Sequence, residues 1–503
     1  MDIPDQREGV SLMAIAMDRQ IAEGPTEGGV PVEQLDYPYR YDRTHTAAQV
    51  RKSFHHLAPA HAPKDPVRIA GRVLALRRHG NLIFMDVEDT SGRMQACLRV
   101  DSLGDQFRQI SDSLHLGDIV GLHGRVFRTR KGELTVLADD LVILSHCLRR
   151  LPDKLHGLQD AGLARTRRYL NLMTDARARE CFLLRSRMIM LLREFLWCRG
   201  FVECETATLD TAYGGAEASP FTTMCHALDR ELYLRISPEL ALKRLLVGNL
   251  ERVFEVGKQF RNEGLDARHH PEFTSVEVYQ AYADYQDMMA LTEQLLGHLA
   301  VHLLGGLKVV SSFTGEPVEL DLSPPFRRMS VLEGIRQYAG VDLSMAGGDE
   351  AHKLAEDLGV PVDSRMTTDE LIMAVFEALV EPNLVQPTFV FDYPASLCPL
   401  TKRHRSNPRL AERFELYVGC LEFANAYSEL NDPVEQRRHF EVQAEKRAAG
   451  ESLAHLPDWD FVEALEYGMP PAGGLGIGLD RLAMLFTGAT HIQDVILFPL
   501  HGR

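Results

Sequence analysis

Two segments constrain this chain more than any others: FEVGKQFRNEGLDARHHPEFTSVEVYQAY, from Phe254 to Tyr282, and GGLGIGLDRLAMLF, from Gly473 to Phe486. The first reads as two strands joined by a polar loop rich in Arg and His. Alternation puts Arg261 and Glu263 on one face, and Glu277 and Tyr279 on one face, which makes a binding surface. In the second segment Gly474, Gly476 and Gly478 recur at period two and strip side chains from one strand face, and Arg481 follows as a helix begins. A bare strand face beside a cation suits a nucleotide. Neither segment decides alone, because glycine alternation also serves packing, its third glycine comes too early for the dinucleotide fingerprint, and charged strand residues commonly face solvent. Their occurrence together, in this order, is far more specific.

The pair resembles the class II aminoacyl-tRNA synthetases, with FRNE and RHHPEF similar to the second motif of that class and GLGIGLDR to its third. RISPELALKRLLVG, AYADYQDMM, ERFELYVGCLEFANAYSELND and HIQDVILFP are similar to bacterial lysyl-tRNA synthetases, and the similarity runs from about Asp36 to Arg503. The implied fold is α+β: an antiparallel synthetase sheet with flanking helices, preceded by an oligonucleotide-binding (OB-fold) barrel.

Composition is compatible with that reading. A chain of 503 residues, 45% hydrophobic, implies two or more domains with real cores, and no apolar run is long enough to span a membrane. The eight Cys form no CxxC pair and no zinc spacing, which favours free thiols in a reducing compartment. The N-terminus lacks a basic, apolar, cleavable pattern, so a cytoplasmic protein is expected. A net charge of −16 argues against indiscriminate nucleic-acid binding, so RNA contact must be local. The basic clusters are FRTRKG at 127–132, LRR at 148–150, ARTRR at 164–168 and KRHR at 402–405.

Residues 1–65 mix Gly, Pro, His and polar residues and read as a loosely attached, partly flexible arm with a helix around Leu12–Ile21. Residues 66–147 carry five short alternating runs and one helix-like insert, the pattern of an OB barrel. Residues 148–178 are a basic linker, and 179–503 form the catalytic domain, with a helical insertion at about 329–380. Such barrels stack unpaired bases on aromatics and read their edges with amides and carboxylates, and the resemblance puts anticodon binding on Phe84, Gln95 and Glu133.

The hairpin FELYVGCLEFANAYSEL supplies a geometric argument. A turn centred on Val418 and Gly419 sets Glu415 directly opposite Glu422, a repulsive pair unless a cation lies between them. Magnesium beside a triphosphate suits two such carboxylates, and the resemblance makes Glu415 and Glu422 its ligands. Glu422 and Asn425 share a pocket only if the strand bulges between them, and the resemblance implies that bulge.

The ligand set is rich in carboxylates, which favours an amino acid with a second ammonium. By resemblance Glu239 holds the α-amino group. Glu277 and Glu429 with Tyr279 hold the side-chain ammonium, and Gly215, Asn425 and Tyr427 shape the pocket. Arg261 and Arg481 are the implied catalytic cations, with Arg261 also binding ATP and lysine on the phosphate or carboxylate side; Glu263 and His269 contact ATP, and adenine is sandwiched between Phe273 and Arg481. The implied partners are ATP, L-lysine, magnesium, lysine tRNA and a second copy of the chain, with no membrane. Four residues depart from the family pattern: Ala207 in place of a motif-one proline, Ser219 at a usually basic position, His270 for Asn and Cys398 for Ser. The alternatives are a ligase attaching lysine to a protein or other non-tRNA acceptor and a catalytically silent tRNA-binding paralogue; the barrel argues against the first, and the presence of Arg261, Arg481 and the metal carboxylates against the second.

Overall fold

Alternating apolar residues in the N-terminal half close into a barrel. In this computed structural model, which describes residues 37–58, 66–152, 158, 160–313, 315–449 and 456–501, the chain separates into two compact units, 1–159 and 160–503. The helix expected around Leu12–Ile21 lies outside the described residues.

In the first unit β1 (Pro66–His79), β2 (Leu82–Asp89), β3 (Gly92–Arg99), β4 (Ile119–Arg128) and β5 (Leu134–Ser145) pair in the closed order β1-β2-β3-β5-β4. Every second residue points inward, so Ile83, Met85 and Val87 of β2 join Met94, Ala96 and Leu98 of β3 in one core. The barrel ends are tied by Asp118, whose buried carboxylate accepts the amides of His115 and Cys147, each at 2.7 Å. Part of the expected loose arm is a docked helix, Ala47–Phe54, with a capping box between Thr46 and Gln49. Ala47, Val50 and Leu57 are buried in the barrel core, which fixes this stretch.

The second unit is built on an eight-stranded sheet. Its strands are β6 (Val202–Glu203), then, after a small sheet of β7 (Leu209–Asp210), β8 (Thr222–Cys225) and β9 (Arg230–Leu234), β10 (Arg252–Phe260) and β11 (Glu272–Ala281). A separate hairpin, β12 (Lys308–Ser311) and β13 (Val318–Asp321), precedes β14 (Arg327–Ser330), β15 (Thr388–Pro394), β16 (Leu410–Val418), β17 (Leu421–Ser428) and β18 (Ala472–Gly478). The order is β14-β15-β16-β17-β18-β11-β10-β6, antiparallel except for the outer pairs β14–β15 and β10–β6. A parallel pair needs a crossover connection. Between β14 and β15 the helices Val331–Tyr338, Gly348–Asp357 and Thr368–Leu379 supply it, with a core of their own that includes Ile335, Ala351, Leu371 and Phe376.

One face of the sheet is apolar. Val276 and Val278, Leu475 and Ile477, Ala424 and Ala426, and Phe414 and Leu416 pack against the helices Ala176–Trp197, Tyr285–Leu304 and Leu479–Thr487. The alternate residues form the other face. The register places Glu277, Gly476, Asn425 and Glu415 in one row across β11, β18, β17 and β16, and Tyr279, Gly474, Tyr427 and Arg413 in the next. This period-two segregation is what positions the site.

The β16–β17 turn differs from expectation. It centres on Gly419 and Cys420, with φ of 58° and 61°, as a two-residue hairpin turn of the right twist requires. Glu422 therefore stands opposite Tyr417 and Glu415 opposite Asn425, so the two acids are not a direct cross-strand pair. The register shifts between Leu416 and Tyr417, leaving Phe423 as an extra residue, and this bulge lets Glu422 and Asn425 both reach the polar face.

Candidate active site

A cleft of about 560 Å³ opens on the polar face, within the size range of small-molecule sites. Its walls include Gly215, Glu239, Arg261, Glu263, His269, Phe273, Glu277 and Tyr279 from the first half of the unit. Glu415, Glu422, Asn425, Tyr427 and Arg481 come from the second. Glu429 is not on the wall. It lies just behind it, fully buried beside Gly474.

One end of the cleft is cationic. The loop between β10 and β11 is closed by a 2.8 Å bond from the Arg261 amide to Pro271 O, and the Arg261 guanidinium lies 5.1 Å over the Phe273 ring. His269 is held by Asp266 at 2.8 Å and meets Arg481 at 3.2 Å, while Arg481 also donates to Glu422 O at 2.7 Å. The side chain of Arg481 lies nearest the open face of Gly478.

The other end is acidic. Glu239 is 3% exposed, and it and Tyr279 flank Glu277, whose carboxyl is pushed up to about 8 by burial and by the charge of Glu239. Burial and Glu239 likewise raise Glu429 to about 8, against the pull of Lys243. The glycine strand serves this end directly. A Cβ at Gly476 would lie 2.9 and 3.0 Å from the two Glu277 oxygens, and one at Gly474 would collide with Glu429 and Tyr279. Two of the three glycines thus clear space for neighbouring acids rather than for a flat ligand, and only Gly478 leaves bare backbone. Gly215, at a φ of +86°, turns the chain over Ser237 and Glu239, a conformation that favours glycine.

Glu415 is more fully engaged than its sequence context suggests. Its carboxylate accepts from Arg413, from Tyr393 at 2.9 Å and from Tyr417 at 2.6 Å. Arg413 is itself clamped 4.5 Å over Tyr393 and 5.6 Å over Tyr427. Neither Arg413 nor Lys243 is reached by sequence reasoning. The available signal was spacing: Arg413 shares the strand face of Glu415, and Lys243 lies one helical turn beyond Glu239. Glu377, Glu381 and Glu422 stand near Glu415, and burial first, then the charges of Glu415, Glu377 and Glu422, push the Glu381 carboxyl up to about 7. The side-chain amide oxygen (Oδ1) of Asn425, opposite Glu415, is buried without a hydrogen-bond partner.

Residues 160–502 match the family of class II tRNA synthetases for D, K and N, and residues 67–144 match the OB-fold nucleic acid binding domain. The chain is 48% identical to the lysine--tRNA ligase of Carboxydothermus hydrogenoformans over 92% of its own length and 93% of that protein's. Identity to the enzyme of Moorella thermoacetica is 46%, over 97% of each chain, and to that of Methanoculleus marisnigri 47%, over 94% and 92%. The chain belongs to the lysine--tRNA ligase family of class II synthetases.

Within this family member three of the four departures find places. His270 is buried, its Nδ1 2.6 Å from Glu272 O and its Nε2 accepting the Leu500 amide at 3.0 Å, so it ties the C-terminal segment to the β10–β11 loop. Cys398 lines the cleft 3.5 Å from Arg413, with burial pushing its thiol up. Ser219 holds the loop through its backbone, its amide to Glu263 at 3.4 Å and its carbonyl accepting from Asn262 at 2.7 Å. Ala207 is exposed, and nothing in the structure explains it. On the barrel, Phe84 is half-buried on the face opposite Ile83 and Met85 and is not a core residue. Gln95 accepts from Thr135 at 2.9 Å, and Glu133 is exposed in the turn before β5. Phe127, also half-buried, pairs with Thr135 in the same row as Gln95.

Proposed function

We propose that this protein activates L-lysine with ATP and transfers it to the 3′ end of lysine tRNA. The observation that carries this reading is the polarity of the cleft: three enclosed carboxylates, Glu239, Glu277 and Glu429, at one end and Arg261, His269 and Arg481 at the other. An amino acid with two ammoniums fits the first, and a triphosphate the second.

In this reading Glu239 takes the α-ammonium, and Glu277, Tyr279 and, from behind, Glu429 take the side-chain ammonium. Gly215, Asn425 and Tyr427 shape the space between. Adenine lies between Phe273 and Arg481 above Gly478, with Glu263 and His269 on the nucleotide. The lysine carboxylate attacks the α-phosphate and pyrophosphate leaves. Arg261 and Arg481 neutralise the developing negative charge, and no side-chain base is needed because the nucleophile is already ionised. The tRNA 3′-hydroxyl then displaces AMP from lysyl-adenylate. Catalysis is positioning and electrostatics.

Glu415 and Glu422 are the proposed magnesium ligands. The site fits a hard cation: oxygen donors, a cluster of carboxyls around Glu415, and the unpartnered side-chain oxygen of Asn425. Magnesium would supply charge neutralisation on the phosphates. We further assign residues 66–147 to anticodon binding through Phe84, Gln95 and Glu133, 148–178 to a linker and 179–503 to catalysis. A homodimer is supported by an exposed apolar stripe, Leu183, Met190 and Trp197 at seven-residue spacing on one helix, with exposed Val202 and Leu209 following. All eight cysteines are free thiols, in keeping with a reducing cytoplasm. Charging of total tRNA with each labelled amino acid tests the proposal: lysine alone should become acid-precipitable, and charging by another amino acid at a comparable rate would overturn it.

A further inference from the structure

Among the described residues Lys243 is the one lysine buried completely, on the helix Glu239–Val247 against the acidic end of the cleft. Its Nζ lies 2.6 Å from Glu239, pairs closely with Glu429 and donates to Leu400 O at 3.4 Å. Burial works against its charge, and Glu239 and Glu429 overcome this and hold the ammonium above its ordinary range.

The ionisable groups that act on this end are Glu239, Glu277 and Glu429 as acids, Lys243 as the buried cation, and Arg261, whose charge reaches Glu277 from the cationic end of the cleft. Glu255 is closed off by Arg235 at 2.5 Å and Arg413 by Glu415, while Tyr279 and Tyr427 stay neutral, their hydroxyls raised by burial. By themselves these groups sum to a single negative charge, one positive charge short of balance. A lysine with two ammoniums and one carboxylate supplies that single charge, and an amino acid with a neutral or acidic side chain does not.

We infer that Lys243 is a positioning residue that sets the charge deficit of the pocket at one, so that lysine binding replaces a proton shared by Glu277 and Glu429. This rests on the lysine pocket proposed above. The upward displacement of both carboxyls agrees with it. Lysine affinity should then rise between pH 6.5 and 8.5, as the proton it must displace is lost to solvent. Without Lys243 the acids hold protons more tightly and the same rise moves to higher pH.

The test uses the full chain. Calorimetric titration of lysine at pH 7.5, in two buffers of different ionisation enthalpy, should show net proton release by the unaltered protein. Lys243→Gln keeps a donor without the charge and Lys243→Met keeps only the shape. In each, lysine KM should rise about tenfold or more at pH 7.5, far more than kcat falls, and the deficit should narrow toward pH 9. A structural role alone would lower Tm and leave the pH dependence of lysine KM where it was. Binding without proton release by the unaltered chain, or a folded Lys243→Gln variant with an unshifted profile, overturns the inference. Failure of the unaltered chain to bind lysine at all would overturn the pocket assignment beneath it.

Discussion

Gly476→Ala and Gly478→Ala should separate the two ends of the cleft by a single methyl group each. At Gly476 the new Cβ would sit 2.9 and 3.0 Å from the oxygens of Glu277, about half an ångström inside ordinary contact, with the strand backbone fixed by β11 and β17 on either side. The carboxylate must move. Overpacking of this kind costs about 1–3 kcal/mol. Because Glu277 lines the cleft, that cost should appear in ligand binding, as a rise in lysine KM of roughly 5- to 150-fold. ATP KM should change by less than about twofold, since the nucleotide end is untouched. At Gly478 an added Cβ meets only the Arg481 side chain, at 3.9 Å. A methyl there intrudes on the surface assigned to adenine, so ATP KM should rise while lysine KM holds. The assay is pyrophosphate exchange with one substrate varied at saturating levels of the other, with Tm as the control for folding. Equal effects of both variants on both substrates would refute the division of the glycine strand between acids and nucleotide.

Other expectations follow from the same geometry. Arg261→Ala should abolish adenylate formation with little loss of Tm, because its charge acts where the transition state is negative; normal exchange would remove it from the chemistry. Phe84→Ala should weaken tRNA binding by about 1–3 kcal/mol at matched salt and leave lysine-dependent exchange near that of the unaltered chain. Sedimentation should show a dimer that Trp197→Asp converts to monomer, and a monomeric unaltered chain would refute the interface reading.

The two strands around the β10–β11 loop, the glycine strand and the barrel were legible because each buries one face and therefore alternates at period two. The β16–β17 hairpin shows where that stops. YVGCL admits two turn centres, and the backbone chose the one that places positive φ at Gly419 and Cys420, moving Glu415 from Glu422 to Asn425. A bulge such as that at Phe423 leaves no periodic trace, and here only the resemblance anticipated it. The docked helix at Ala47–Phe54 did carry a signal, the Thr46–Gln49 capping box ahead of Ala47 and Val50, within a stretch whose composition suggested a loose arm. Lys243 and Arg413 belong to a different class. A cation one turn from Glu239 or two residues from Glu415 reads as a surface pair until tertiary packing encloses it, so their roles depend on contacts distant in sequence, such as Lys243 with Glu429.

In the proposed function the acidic end of this cleft selects lysine. Pyrophosphate exchange measured with each of the twenty amino acids, in the presence of ATP and magnesium and without tRNA, tests it directly. Lysine should drive exchange far above the rest, and Glu429→Gln should lose about 2–5 kcal/mol of lysine binding by unpairing enclosed cations. Exchange driven equally by aspartate or asparagine would contradict the account.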